Sequence, residues 1–189
     1  MPPGLRTPRN GVDVYRAAVR IRDYAATRLM RGSLGECGKG SQLSLPIYLM
    51  GPGSPEGIIV GAGAFIGPSC RLWLDAGATV RIGDHCYLNG MTTIFAADGV
   101  EIGNSVLIAW NVNILDFQHC TTDQTRPIKD QGIDRIAPVK IKDGAWLGTN
   151  VTVMPGVTIG RNAVVGANSV VNSDVPDFAT AVGAPARIL

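Results

Sequence analysis

From Ile141 onward the chain repeats every six residues: Ile141, Leu147, Val153, Ile159, Val165 and Val171 are all aliphatic. Four positions after each stands a small or β-branched residue: Ala145, Val151, Val157, Ala163, Ser169 and Val175. Gly148, Gly160 and Gly166 follow the aliphatic position directly. A period of six is neither the 3.6 of a helix nor the alternation of a plain strand. It fits a strand of about four or five residues ended by a forced corner, and three such faces close a triangular coil of roughly 18 residues. The aliphatic and small residues then point inward, while Gly, Asn and Asp hold the corners, where positive φ is often needed. Each coil completes its core only against its neighbours.

The same phase runs upstream. Ile82, Leu88 and Ile94 form one set, with Cys86 and Thr92 at the small positions. Ile102, Ile108 and Ile114 form another, with Val106 and Val112, after a two-residue slip near Gly99 and Val100. Val60 and Ile66, followed by Ala64 and Cys70, start the array, and its register is looser between Leu72 and Val80. The expected fold is therefore an all-β solenoid over 57–189, behind an N-terminal helical capping segment over 1–56. Within that segment Val14, Ala17, Ala18, Ile21, Ala25 and Leu29 fall near one helical face, which predicts a helix packed on the open end of the prism. The tail 176–189 is expected to end the repeats and fold back along the prism.

Composition excludes several classes. Lys plus Arg is 17 and Asp plus Glu is 15, so a net charge of +2 gives no footprint for nucleic acid. No stretch approaches the ~18 apolar residues of a membrane span. The polar start, Met1 to Asn10, shows no apolar signal run, and Cys37, Cys70, Cys86 and Cys120 have no CxxC spacing. These features predict a reduced, cytoplasmic protein.

After Ile114 the rhythm stops. Gln118 and His119 are followed by a mostly polar stretch to Arg135, and regular spacing resumes near Val139 and Ile141. A solenoid tolerates such an insertion, and long loops in compact domains are often functional. The loop 116–138 is thus the expected active-site element. His119 stands where it departs, whereas His85, the other histidine, occupies an ordinary corner. Imidazole changes charge near neutral pH and suits general-base work. Asp116, three residues earlier, is expected to orient the ring.

The phrases Ala145-Trp-Leu-Gly-Thr149, Val153-Met-Pro-Gly-Val-Thr-Ile-Gly160 and Val182-Gly-Ala-Pro-Ala-Arg187 resemble the hexapeptide-repeat acetyltransferases. The branch they resemble contains galactoside and maltose O-acetyltransferases and polysaccharide acetyltransferases. The resemblance covers about residues 57–189. It implies a left-handed parallel β-helix, a homotrimer with active sites between subunits, and acetyl-CoA as acyl donor. It also implies that His119 is the general base and that Trp146 lines the pantetheine path. Gly148, Thr149, Ala167, Asn172, Ser173 and Arg187 match coenzyme-binding positions, and Asn89 matches an asparagine near the acceptor. Two departures stand out: Ala96 and Ala97 replace an acceptor-side acid, and Ser173 replaces a frequent lysine. The expected reaction is direct acetyl transfer to a sugar or sugar-containing hydroxyl. Such transfer needs no covalent role for Cys120. No metal is expected: a zinc-dependent carbonic anhydrase on this scaffold needs about three histidines, and two are present. The rival readings are an amino-sugar N-acyltransferase and a non-catalytic scaffold.

Overall fold

The computed structural model describes residues 11–189, with side chains from 15 onward; the polar start expected at 1–10 lies outside the described residues. The hexads form a three-faced parallel solenoid of about six coils. The first face stacks Glu36–Cys37, Ile58–Val60, Thr79–Ile82, Gly99–Ile102, Val139–Ile141 and Thr158–Ile159. The second stacks Gln42–Leu43, Phe65–Ile66, Tyr87–Leu88, Leu107–Ile108, Trp146–Leu147 and Val164–Val165. The third stacks Ile47–Met50, Cys70–Leu74, Thr93–Ala96, Asn113–Leu115, Thr152–Val153 and Val170–Val171.

Register keeps like over like. Val60 lies beside Ile82, Ile82 beside Ile102, Ile102 beside Ile141, and Ile141 beside Ile159. Every aliphatic hexad residue from Val60 to Val171 is buried in one continuous core. Cys70 and Cys86 occupy inward positions as small apolar residues. Burial pushes the Cys70 thiol up to about 11 and raises that of Cys86, which leaves both inert at neutral pH. At the corners between the second and third faces, Asn111, Asn150 and Asn168 adopt φ near 58°, 61° and 60°. Asparagine tolerates that left-handed region. Here the side chains also tie coil to coil: Asn111 Nδ2 donates to Asn150 Oδ1 at 2.8 Å, and Asn150 Nδ2 to Asn168 Oδ1 at 3.0 Å.

The solenoid begins earlier than the expected boundary at 57. The strands between Glu36 and Met50 already form a full first coil, paired in parallel with the second. In front of it lies helix α1, Gly11–Met30. The predicted packing face is also corrected: Ile21 is 51% and Leu29 79% exposed, and Ala18 and Ala25 face outward too. Asp23, Ala26 and Thr27 are the buried positions. The reason is the chemistry of a prism end, which presents unpaired strand N–H groups that need acceptors. Thr27 Oγ1 accepts from Leu43 N at 2.9 Å, and the Asp23 carboxylate accepts from Ser44 Oγ at 2.6 Å and Leu45 N at 3.3 Å. Asp23→Ala should therefore destabilise the protein by about 2–3 kcal/mol, because it strands buried donors. Thermal unfolding would show this, and an unchanged midpoint would mean that the helix does not hold the first coil.

At the far end, Thr180–Gly183 pairs in parallel with Val164–Val165 and turns back as an antiparallel hairpin with Ala186–Ile188.

Candidate active site

The break in the repeat is an excursion with a closed neck. Asp116 N donates to Phe95 O at 3.2 Å and Ala137 N donates to Asp116 O at 2.8 Å, so the chain leaves and re-enters at one point. Between them Phe117–His119 and Ile133–Ile136 form an antiparallel ribbon. The tip is tied by Gln131, whose side chain accepts from Asp123 N at 3.0 Å and donates to Asp123 O at 2.7 Å.

Asp116 does not orient His119. Its side chain is fully buried and turned inward, where Oδ1 accepts from Ala97 N at 2.7 Å and Oδ2 from Asp98 N at 2.9 Å and Gly99 N at 2.7 Å. It caps three backbone donors of the corner below. The physical reason is parity: Ile114 points inward, so Asp116, two residues on, does as well.

His119 is exposed and aimed by a bulge, since the ribbon register shifts between Gln118 and His119. Its Nδ1 lies 3.3 Å from Gly132 O, which also accepts from Cys120 N at 3.0 Å. A carbonyl oxygen only accepts, so the neutral tautomer that makes this contact carries its proton on Nδ1 and its lone pair on Nε2. Gly132 sits at φ 78°, a turn conformation that a side chain would strain. The carbonyl thus takes the orienting role that sequence proximity had suggested for Asp116.

The coenzyme candidates divide between two edges. Trp146 projects half-exposed from the second face, between Leu107 and Val164. Gly148 and Thr149 turn the corner that follows, and Ala167 stands one coil on, with Asn168 N donating to Thr149 O at 2.9 Å. A Cβ on Gly148 would lie 2.7 Å from Ala167 N, so the coils approach this closely only because glycine is there. Arg187, on the terminal hairpin of the same sheet, is exposed. Asn172 and Ser173 lie elsewhere, exposed past the other end of the third face, on the edge from which the His119 ribbon springs. Within this chain, then, His119 and Trp146 are on different sides of the prism.

Asn89 stands at the corner entering the third face, and its Nδ2 donates to Ile108 O at 3.0 Å. His85 occupies an exposed corner at φ 55°. Several aromatic residues near these edges were not singled out by sequence. Trp110 packs over Gly90, where an added Cβ would meet its ring. Phe117 meets Phe95 edge-on at 6.3 Å and His119 at 6.0 Å. For Phe95 the available signal was its position, outward beside the inward Ile94. Among the described residues there is no group of three metal-ligating side chains and no helix long and apolar enough to cross a membrane.

The family described as bacterial transferase hexapeptide (six repeats) matches residues 138–173. The putative lipopolysaccharide biosynthesis O-acetyl transferase WbbJ of Escherichia coli is 33% identical over 153 residues, 78% of this chain and 76% of that protein. Galactoside O-acetyltransferase of the same organism is 35% identical over 130 residues, 69% of this chain and 62% of that protein. The hexapeptide-repeat-containing acetyltransferase VCA0836 of Vibrio cholerae, solved with acetyl coenzyme A, superposes with a TM-score of 0.56 at 28% identity over 95% of this chain and 90% of that one. The matches span 37% to 62% of the length of the first curated relatives. The stacked hexads are the repeat that the matched family description names. The chain belongs to the hexapeptide-repeat transferase family.

Proposed function

We propose that the protein is an acetyl-CoA-dependent O-acetyltransferase acting on a sugar or sugar-containing hydroxyl, by direct transfer with His119 as general base. The observation that carries the reading is the exposed imidazole with Nδ1 held by Gly132 O and Nε2 free. In the step, Nε2 takes the acceptor hydroxyl proton as that oxygen attacks the thioester carbonyl carbon. The carbonyl–sulfur bond then breaks, and the coenzyme thiolate leaves with a proton returned by the imidazolium. VCA0836 is a relative solved with acetyl coenzyme A, which supports the same donor here.

The site is completed in a homotrimer, where the His119 edge of one copy faces the Trp146 edge of the next. Two observations support this. His119 and Trp146 lie on different sides of one prism. The second face also carries an outward apolar column of Phe65, Tyr87, Leu107, Trp146 and Val164, with Phe65 stacked on Tyr87 at 4.4 Å. Such a patch calls for cover. We place the enzyme in the cytoplasm, where acetyl-CoA is at hand and its free cysteines stay reduced.

The test is a screen of hydroxyl and amine acceptors that follows free coenzyme A thiol from acetyl-CoA. A hydroxyl acceptor should turn over best, and a preference for amines would move the reading to N-acylation. Trp146→Ala should raise the KM for acetyl-CoA by about tenfold with a smaller change in kcat, because a half-exposed aromatic wall contributes binding rather than chemistry. Absence of acetyl-CoA binding to the parent protein would overturn the enzyme reading.

A further inference from the structure

Charge is unevenly spread along the chain. The first 31 residues hold seven arginines and two acids, Asp13 and Asp23, a surplus of five positive charges. From residue 32 onward the acids outnumber the bases by three. Helix α1 then sorts what it carries. Its buried side is Asp23, Ala26 and Thr27, through which it holds the first coil. Ala18, Ile21, Ala25 and Leu29, spaced by three and four, form a stripe on the opposite side, and all four are exposed. Arg28 and Tyr24 border the stripe on one side, Arg22 and Tyr15 on the other. Arg22 Nη2 pairs with Asp23 Oδ1 at 2.7 Å, so the acid is both turned inward and neutralised. Arg16, Arg20 and Arg28 are exposed and make no ion pair among the described residues.

We infer that the outer side of helix α1 is a docking surface for an anionic lipid bilayer, lying in the headgroup plane with Ile21 and Leu29 inserted. The inference does not depend on the acetyltransferase reading. A helix that rests on a bilayer presents an aliphatic stripe to the acyl boundary, guanidinium groups to the phosphates and phenol rings to the headgroup level. Helix α1 has all three on one side, and it is not long and apolar enough to cross. Its shape points the same way. The helix caps the end of the prism, so the stripe is a convex ridge, which a deformable surface accepts and a protein partner could take only in a groove. A second copy meeting stripe to stripe would set arginine against arginine. The charge asymmetry also orients the molecule, with the basic helix toward the headgroups and the net-negative prism away from them. The His119 ribbon leaves the fourth coil, three rungs of ~4.8 Å past the first, so docking keeps the candidate site in water.

The test sediments the full chain with vesicles of phosphatidylcholine alone or of phosphatidylcholine mixed with phosphatidylglycerol. Affinity should be about tenfold higher for the anionic vesicles and should fall back in ~1 M salt, where the Debye length is about 3 Å. Replacing Arg16, Arg20 and Arg28 together by Gln should weaken binding to the anionic vesicles by about 100-fold. Ile21→Gln with Leu29→Gln should weaken it by about tenfold with every arginine in place. All five side chains are exposed, so both variants should melt with the parent. Three results would overturn the inference. The first is equal binding to the two kinds of vesicle, or none to either. The second is parental binding by the Ile21/Leu29 variant, which would make the arginines a patch for any polyanion. The third is a changed oligomeric state of that variant by light scattering, which would make the stripe a contact between copies.

Discussion

His119→Ala should lower kcat for acetyl transfer by ~10²–10⁴-fold and leave acetyl-CoA binding within about twofold of the parent. The split follows from where the residue stands. His119 is at the tip end of the ribbon strand, outside the core, and its side chain, among the described residues, meets Gly132 O. Alanine therefore removes a proton acceptor without opening a cavity, and the fold should be indifferent. The proposed coenzyme groups at Trp146, Gly148 and Thr149 lie on another side of the prism and keep their geometry. His119→Gln is the sharper control, since its amide can donate to Gly132 O but has no basic nitrogen. If either variant turns over the best acceptor at the parental rate, His119 is not the base. Free imidazole restoring part of the alanine variant's rate would tie the loss to the missing proton acceptor.

The solenoid was legible because each aliphatic residue from Val60 to Val171 had to repeat for the coils to pack, and a six-residue period suits few folds besides a three-faced coil. The first coil was not legible, and this has a cause. Its upper side meets the second coil, but its lower side meets a helix. Cys37 is only half-buried, and Ser41 and Ser44 are buried with hydrogen bonds instead of aliphatic packing. Terminal repeats depart from the pattern because they have one like neighbour, not two. The helix misled in a related way. Its apolar stripe through Ile21 and Leu29 obeys helical periodicity, but what the prism end needed was the oxygens of Asp23 and Thr27.

The candidate site was legible in part. The family resemblance singled out Trp146, Gly148, Thr149 and Ala167, and the stacked coils bring them to one edge. It could not say on which side of the prism the ribbon would stand relative to that edge. Nor does a one-dimensional break reveal the bulge that aims His119 or the Gly132 carbonyl that holds it. Asp116 was the readable error. Nearness in sequence suggested a partner for the histidine, while counting two from Ile114 already pointed its side chain inward.

That inward carboxylate sets up the second large effect. Asp116→Ala should cost about 2–3 kcal/mol, because three partly buried backbone N–H groups of residues 97–99 lose their acceptor. The backbone of the same residue closes the neck of the 116–138 excursion, so a shift of this corner carries to the ribbon, and activity should fall together with the melting temperature. Asp116→Asn separates the two. The amide keeps one acceptor oxygen but turns a nitrogen toward N–H groups, which should leave a folded protein of reduced stability whose ribbon is loosely held. Its kcat should drop while acetyl-CoA affinity persists, since the Trp146 edge does not depend on this corner. A merely structural role would lower stability in both variants and leave kcat per folded molecule at the parental value. Stability loss with full specific activity in Asp116→Asn would therefore show that the corner holds the prism but not the base. A drop in kcat would show that the site's geometry is set from inside the core, by a carboxylate that never meets the substrate.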